Sequence, residues 1–145
     1  MSWQKKGLIY QPPHDGSWRD NSALTPTPIQ ISNSTIRVYC SFRDPEGVGR
    51  IGYVDVDSSN PSYIQAVSTD PVIDIGQPGN FDDNGVILGD IVKINSSYHL
   101  YYVGFQLVNK VKFLAFTGLA VSNDECLTFQ KYSNVPILDR NSSGR

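Results

Sequence analysis

The sequence predicts an all-β chain, one domain over residues 1–145, built from two four-stranded antiparallel units in tandem. Three observations carry that expectation. The first is composition: 13 Val and 12 Ile stand against 4 Ala, 9 Leu and 2 Glu, with 8 Tyr and 6 Phe besides. β-Branched and aromatic side chains fit a pleated, half-buried surface better than a helix. The second is a hydrophobic content of 39% with Gly and Pro spread along the chain, which argues against bulk disorder. The third is internal self-similarity.

Thr27-Pro28-Ile29-Gln30-Ile31, a polar turn and Ile36-Arg37-Val38-Tyr39-Cys40-Ser41 read as a hairpin. Arg50-Ile51-Gly52-Tyr53-Val54-Asp55-Val56 supplies a third strand, and the Pro-centred segment Asp70-Pro71-Val72-Ile73-Asp74 closes the unit. The figure then recurs. Asp90-Ile91-Val92-Lys93-Ile94, the turn Asn95-Ser96-Ser97 and Tyr98-His99-Leu100-Tyr101-Tyr102-Val103 form the second hairpin. Ala115-Phe116-Thr117-Gly118-Leu119-Ala120-Val121 follows, and Val135-Pro136-Ile137-Leu138-Asp139 closes it. Tyr39 to Tyr101 spans 62 positions, Gly52 to Gly118 spans 66, and Pro71 to Pro136 spans 65. Three anchors agreeing this closely mark a structural repeat. Antiparallel strands at such a period are the signature of β-propeller blades, the first over about 18–80 and the second over about 81–138. The alternative is a β-sandwich whose hairpins are alike in composition.

Charge narrows the function classes. A net charge of −2 and a pI near 5.5 leave no basic stripe to displace counterions from a phosphate backbone, which argues against a nucleic-acid partner. No stretch approaches the roughly 18 apolar residues of a membrane span. The first ten residues are too polar for a secretory h-region, so cytoplasmic residence is expected. Cys40 and Cys126 lie far apart and are expected to be reduced and partly buried rather than bridged. Asn33, Asn95 and Asn141 each open a glycosylation acceptor triplet, which means little without export.

Ser122-Asn123-Asp124-Glu125-Cys126-Leu127-Thr128-Phe129 resembles the Asp-box, a Ser-x-Asp-x-Gly-x-Thr-Trp turn between outer strands of propeller glycosidases. Its duty is structural: Asp and Ser bond the turn backbone and the aromatic plugs the packing. Cys126 stands where Gly is usual, and Phe129 where Trp is usual.

The resemblance extends further. Gly7-Leu8-Ile9-Tyr10, residues 18–28, Arg37-Val38-Tyr39, residues 50–55 and Pro71-Val72-Ile73-Asp74 contribute to it. So do Phe81-Asp82-Asp83-Asn84-Gly85-Val86, Leu100-Tyr101-Tyr102-Val103-Gly104 and residues 118–122. Together these resemble the amino-terminal part of five-bladed β-propeller glycosidases, the superfamily of glycoside hydrolase families 43, 32 and 130. Within it, the nearest group is a family 43-like set of bacterial sugar-active proteins. The resemblance implies a partial five-bladed β-propeller, since five blades of this size need roughly 300 residues. Blades do not bury their faces alone. The sequence is therefore expected either to be truncated or to form a homo-oligomer through exposed blade faces, isologous if a dimer.

Glycoside cleavage needs two carboxyl groups, about 5–5.5 Å apart for retention and about 6.5–9.5 Å for inversion. The resemblance places candidates where the chain enters each innermost strand. In the first blade these are Trp18, Arg19, Asp20, Asn21 and Ser22, expected to contact sugar. Relatives often carry His or Asp where Asn21 or Ser22 stands here, and Ser22 cannot act as a base without a partner. In the second blade Asp83 and Asp90 are the catalytic candidates, with Asp82 and Asn84 as sugar contacts. Ordinary turn duty for Asp83-Asn84-Gly85 is the alternative. The general acid in these families usually comes from a later blade. Arg43-Asp44-Pro45 echoes a family 32 motif and makes Arg43 a sugar-contact candidate, although Asp-Pro-x-Gly is also plain turn sequence.

Glu46 and Glu125 fall in expected hairpin turns and make poor candidates. Trp3, Trp18 and Phe81 either stack on sugar or plug the space between blades, and Arg19 and Arg140 either pair with carboxylates or face solvent. His14 and His99 are isolated. No residue cluster has metal-site spacing, no phosphate loop precedes a helix, and no cofactor is expected. The leading expectation is carbohydrate recognition, with hydrolysis or phosphorolysis only if missing carboxylates come from elsewhere. The competing one is a non-catalytic oligomeric fragment without a sugar site.

Overall fold

The computed structural model describes Ser2 and residues 4–139; Trp3, Arg140 and the acceptor triplet at 141–143 lie outside the described residues. Eight strands follow in chain order: β1 (Asn21–Gln30), β2 (Thr35–Arg43), β3 (Gly49–Asp57), β4 (Ile64–Val67), β5 (Val86–Ile94), β6 (Ser97–Gln106), β7 (Leu114–Ser122) and β8 (Gln130–Lys131). They form two four-stranded antiparallel sheets, ordered β1-β2-β3-β4 and β5-β6-β7-β8. The all-β class and the two propeller-type units are as expected. No helix of the described residues is long and apolar enough to cross a membrane.

The repeat is visible in the register. Cys40 pairs with Gly52 and Tyr102 pairs with Gly118, the same offsets that relate the two copies in sequence. Both glycines leave room for an aromatic ring. A Cβ at Gly52 would meet the Trp18 ring at 2.5 Å, and a Cβ at Gly118 would run into the Tyr102 ring. The Pro-centred segments are not strands. Each contributes one isolated bridge to the third strand of its sheet, Ile51 with Ile73 and Thr117 with Leu138. The fourth strands, β4 and β8, lie upstream of those bridges and are short, four and two residues.

Side chains alternate across each sheet, so every sheet has two faces. The front face carries Val38, Cys40 and Val54 in the first sheet and Leu100, Tyr102 and Ala120 in the second. The back face carries Tyr39, Ile51 and Tyr53 in the first and Tyr101, Thr117 and Leu119 in the second. The front of the second sheet packs on the back of the first, and Tyr39, Ile51, Ile73, Leu88, Leu100, Tyr102, Ala120 and Phe129 form one buried cluster between them. A second cluster of Cys40, Phe42, Val54 and Val56 lies on the front of the first sheet, partly covered by Tyr10 and Trp18.

Polar groups fasten the sheets as well. The Ser41 hydroxyl accepts from the Leu88 N–H at 2.8 Å. The Cys126 carbonyl accepts from the Tyr39 hydroxyl at 2.5 Å and from Arg37 at 3.4 Å. That carbonyl belongs to the Asp-box-like turn, which closes as its sequence suggested. Asp124 accepts from the Thr128 hydroxyl (2.6 Å), the Ser122 hydroxyl (2.7 Å) and the Thr128 N–H (3.0 Å). Glu125 and Cys126 both take positive φ, 56° and 69°, which accounts for the Gly usual in this motif. Phe129 meets Tyr39 edge-on at 5.7 Å. Cys40 and Cys126 are free, buried thiols, and burial pushes both up to about 11.

The turn gives a pH prediction. The Thr128 hydroxyl, then the Thr128 N–H and the Ser122 hydroxyl, hold the Asp124 carboxyl down at about 2, against an ordinary 3.8. A depressed folded-state value means the stabilisation is complete above the unfolded value and is lost as pH falls through the folded one. Wild type should therefore melt above Asp124→Asn at neutral pH, with the gap closing between about 3.8 and about 2. Thermal melts of both proteins across that range check it.

Candidate functional site

Antiparallel pairing fixes which loops meet. The β2–β3 turn lies at the end of the first sheet where β1 begins, and the β6–β7 loop lies where β5 begins. Between them opens a cleft of about 390 Å³, lined from the first sheet by Arg43, Glu46, Gly47 and Gly49. Asn84, Gly85, Ile87, Phe105, Lys112 and Phe113 complete it from the second. Its floor depends on two glycines. A Cβ on Gly49 would stand 2.7 Å from the Val86 carbonyl oxygen, and Gly85, at φ 130°, lies against the Gly49 backbone. Asn84 is fixed by backbone bonds, its N–H donating to Phe105 O at 2.9 Å while Phe105 N–H donates to Gly85 O at 2.9 Å. Phe105 and Phe113 meet edge-to-face at 5.1 Å and form an apolar wall.

Two cationic groups, one carboxylate and one amide thus converge beside aromatic rings. Among the described residues, the side chains of Arg43, Glu46, Asn84 and Lys112 make no hydrogen bond or ion pair to one another or to the rest of the chain. The contrast with neighbouring charges is sharp. Across the same turn, Arg50 bridges Asp44 at 2.7 Å and Asp74 at 2.8 Å, and Asp44 also accepts the Glu46 and Val48 N–H groups. Burial pushes the Asp44 carboxyl up, but Arg50 and the Val48 N–H outweigh it and hold the pKa below its ordinary value.

Of the residues the sequence singled out, Arg43 and Asn84 meet in this cleft. The others are placed elsewhere. Trp18 lies on the front of the first sheet, edge-on to Phe42 at 5.6 Å, its indole N–H donating to Thr69 O at 2.9 Å. Arg19 lies beside Tyr10. Asp20 accepts the Gly16 N–H at 2.7 Å and approaches His14 at 3.9 Å. Asn21 donates to Asp44 O at 3.3 Å, and Ser22, at φ 66°, donates to Asn21 at 3.0 Å. The 14–22 segment thus bonds mainly to itself and to the β2–β3 turn.

Asp82 is buried, with its carboxylate accepting from Lys131 at 2.6 Å and from the Tyr102 hydroxyl at 3.1 Å. Asp83 accepts the Gly79 N–H at 2.7 Å, the geometry of turn duty. Asp90 sits at a register irregularity of β5, exposed, accepting the Ile91 N–H at 2.8 Å. Phe81 stacks on Tyr102 at 6.0 Å, between the sheets. Sequence reasoning missed Lys112, Phe105 and Phe113 and set Glu46 aside. The available signal was topological: the two loops at the strand-entry end had to share one rim. Among the described residues, no group of three or more His, Cys, Asp or Glu is placed to hold a metal ion.

No family model matches the chain. Two curated proteins of Mycobacterium tuberculosis, the uncharacterized proteins MT1551 and Rv1502, are each 33% identical to it over 138 residues. The match covers 95% of this chain and 46% of each relative, so the chain spans about half the length of the curated relatives it matches. Among solved structures, it resembles Zg3597, a family 117 glycoside hydrolase of the marine bacterium Zobellia galactanivorans. The TM-score is 0.65 at 20% identity, covering 90% of this chain and 37% of that one. A glycosyl hydrolase from Bacteroides ovatus superposes with TM-score 0.66 at 17% identity, covering 96% and 42%. The chain's fold is glycosidase-like.

Proposed function

We propose that the chain recognises carbohydrate in the cleft between its sheets. The carrying observation is the convergence of Arg43, Glu46, Asn84 and Lys112, uncommitted within the described chain, beside the Phe105–Phe113 wall. Sugars present hydroxyl arrays that pair with fixed polar groups and C–H faces that pack on aromatic rings. The glycosidase-like fold supports the same reading. Among the described residues, Glu46 is the one carboxylate lining this cleft. Bond cleavage through paired carboxyls therefore needs a second group from outside it.

Titration with mono- and disaccharides by calorimetry and NMR tests the reading. Saturable binding is expected for at least one sugar class. Arg43→Ala should weaken it by at least about tenfold, the loss of one charge-assisted hydrogen bond. Phe113→Ala should weaken it too, with little change in melting temperature, because Phe113 is 47% exposed. No binding across the panel, or binding indifferent to both substitutions, would refute the assignment.

A further inference from the structure

The packing between the two sheets is directional, with the front of one on the back of the other. Each sheet therefore has no second sheet on its opposite face, and the front of the first is only partly covered, by Tyr10 and Trp18. The front of the first sheet presents Ile36 and Val38, both half-buried, above an apolar cavity of about 420 Å³ beneath residues 7–10. The back of the second sheet presents Tyr101, Val103 and Leu119, with Val92 and Ile94 each 41% exposed. These two surfaces match, position for position, the pair already joined inside the molecule. Val38, Cys40 and Val54 on the front of the first sheet, which only residues 7–10 and Trp18 overlie, hold the register positions of Leu100, Tyr102 and Ala120 on the packed front. Tyr101, Thr117 and Leu119 on the free back hold those of Tyr39, Ile51 and Tyr53.

We infer that a second copy of this chain seats the back of its second sheet on the front of the first, continuing the internal interface from one molecule to the next. The argument is continuity with that interface. A front face has one partner of proven fit in this structure, and it is a back face. The contact is heterologous, whereas an isologous dimer, expected from the sequence if the oligomer is a dimer, would set front against front or back against back. Its length is limited by whether the rotation closes a ring.

Size-exclusion chromatography with light scattering on the full chain tests this, with circular dichroism confirming that each protein is folded. Wild type is expected as a dimer or larger. Ile36→Glu, on the front, and Val92→Glu, on the back, are each expected to be monomeric. Their equimolar mixture is expected to form a one-to-one dimer, because one variant keeps an intact back and the other an intact front. Should either variant fail to fold, Leu8→Glu and Ile94→Glu replace them at positions 79% and 41% exposed. A monomeric wild type overturns the proposal, as does a mixture that stays monomeric. Dissociation by only one of the two variants also overturns it, because that result means like pairs with like.

Discussion

Asp55→Ala is expected to cost about 3–5 kcal/mol, the range for removing one partner of a buried ion pair. Asp55 receives both arms of Arg37, from Nε at 2.8 Å and Nη2 at 2.9 Å, with each side chain 9% exposed. The guanidinium also lies 3.6 Å from the centre of the Tyr53 ring, and its third nitrogen reaches the Cys126 carbonyl of the other sheet. The Asp55 hydrogen bonds, set against burial, raise the Arg37 pKa above its ordinary value. A guanidinium does not deprotonate in proteins, so when Asp55 is lost an uncompensated cation stays wedged between the sheets. The double variant Arg37→Met/Asp55→Val should recover much of the loss, because it buries no charge at all. Urea unfolding of the three proteins measures this, the midpoint falling for Asp55→Ala while the slope stays constant. A drop under 1 kcal/mol would show that the pair is not what fixes the interface.

Asp82→Ala is expected to cost about 3 kcal/mol, at the low end of the same range because Lys131 stays 23% exposed and can turn to water. The Asp82 carboxylate is 2% exposed and ties three elements together: its own loop, β6 through Tyr102 and β8 through Lys131. Its loss leaves the Tyr102 hydroxyl without its partner at the centre of the core. The effect should appear in unfolding free energy, whereas sugar affinity of the folded fraction should hold. A folded, equally stable Asp82→Ala protein with impaired binding would move Asp82 from the core into the site.

The repeat was readable because its anchors have mechanical reasons. Gly52 and Gly118 each lie beneath an aromatic ring, and the Pro-centred segments each bridge the same place on a third strand. Such constraints leave a residue type at a fixed spacing. The fourth strands left none, since β8 is two residues long and β4 four, with little apolar alternation to find. The start of β1 at Asn21 was hidden too. Two register irregularities and positive φ at Ser22 and Thr25 break the period of two on which strand reading depends.

Half of the cleft was readable, Arg43 and Asn84, because both flank recognisable turns. Lys112 and Phe113 sit in a loop whose composition is unremarkable until folding brings it opposite Glu46. The acidic residues read ambiguously for one shared reason: carboxylates serve turns and buried pairs as readily as chemistry. Here Asp82 holds a buried pair and Asp83 a turn.

One consequence follows from the plain up-and-down order of the strands. Within each sheet, every strand's ladder pairing is only with its immediate predecessor and successor in the chain. By the time residue 73 has left the ribosome, the leading sheet has every ladder partner it will ever use, the Ile51 bridge included. The trailing sheet is then laid against a finished template, and among its late fastenings is the Cys126 carbonyl, 87 residues beyond the tyrosine that holds it. Assembly can proceed in the direction of synthesis, with no early strand left waiting for a distant mate.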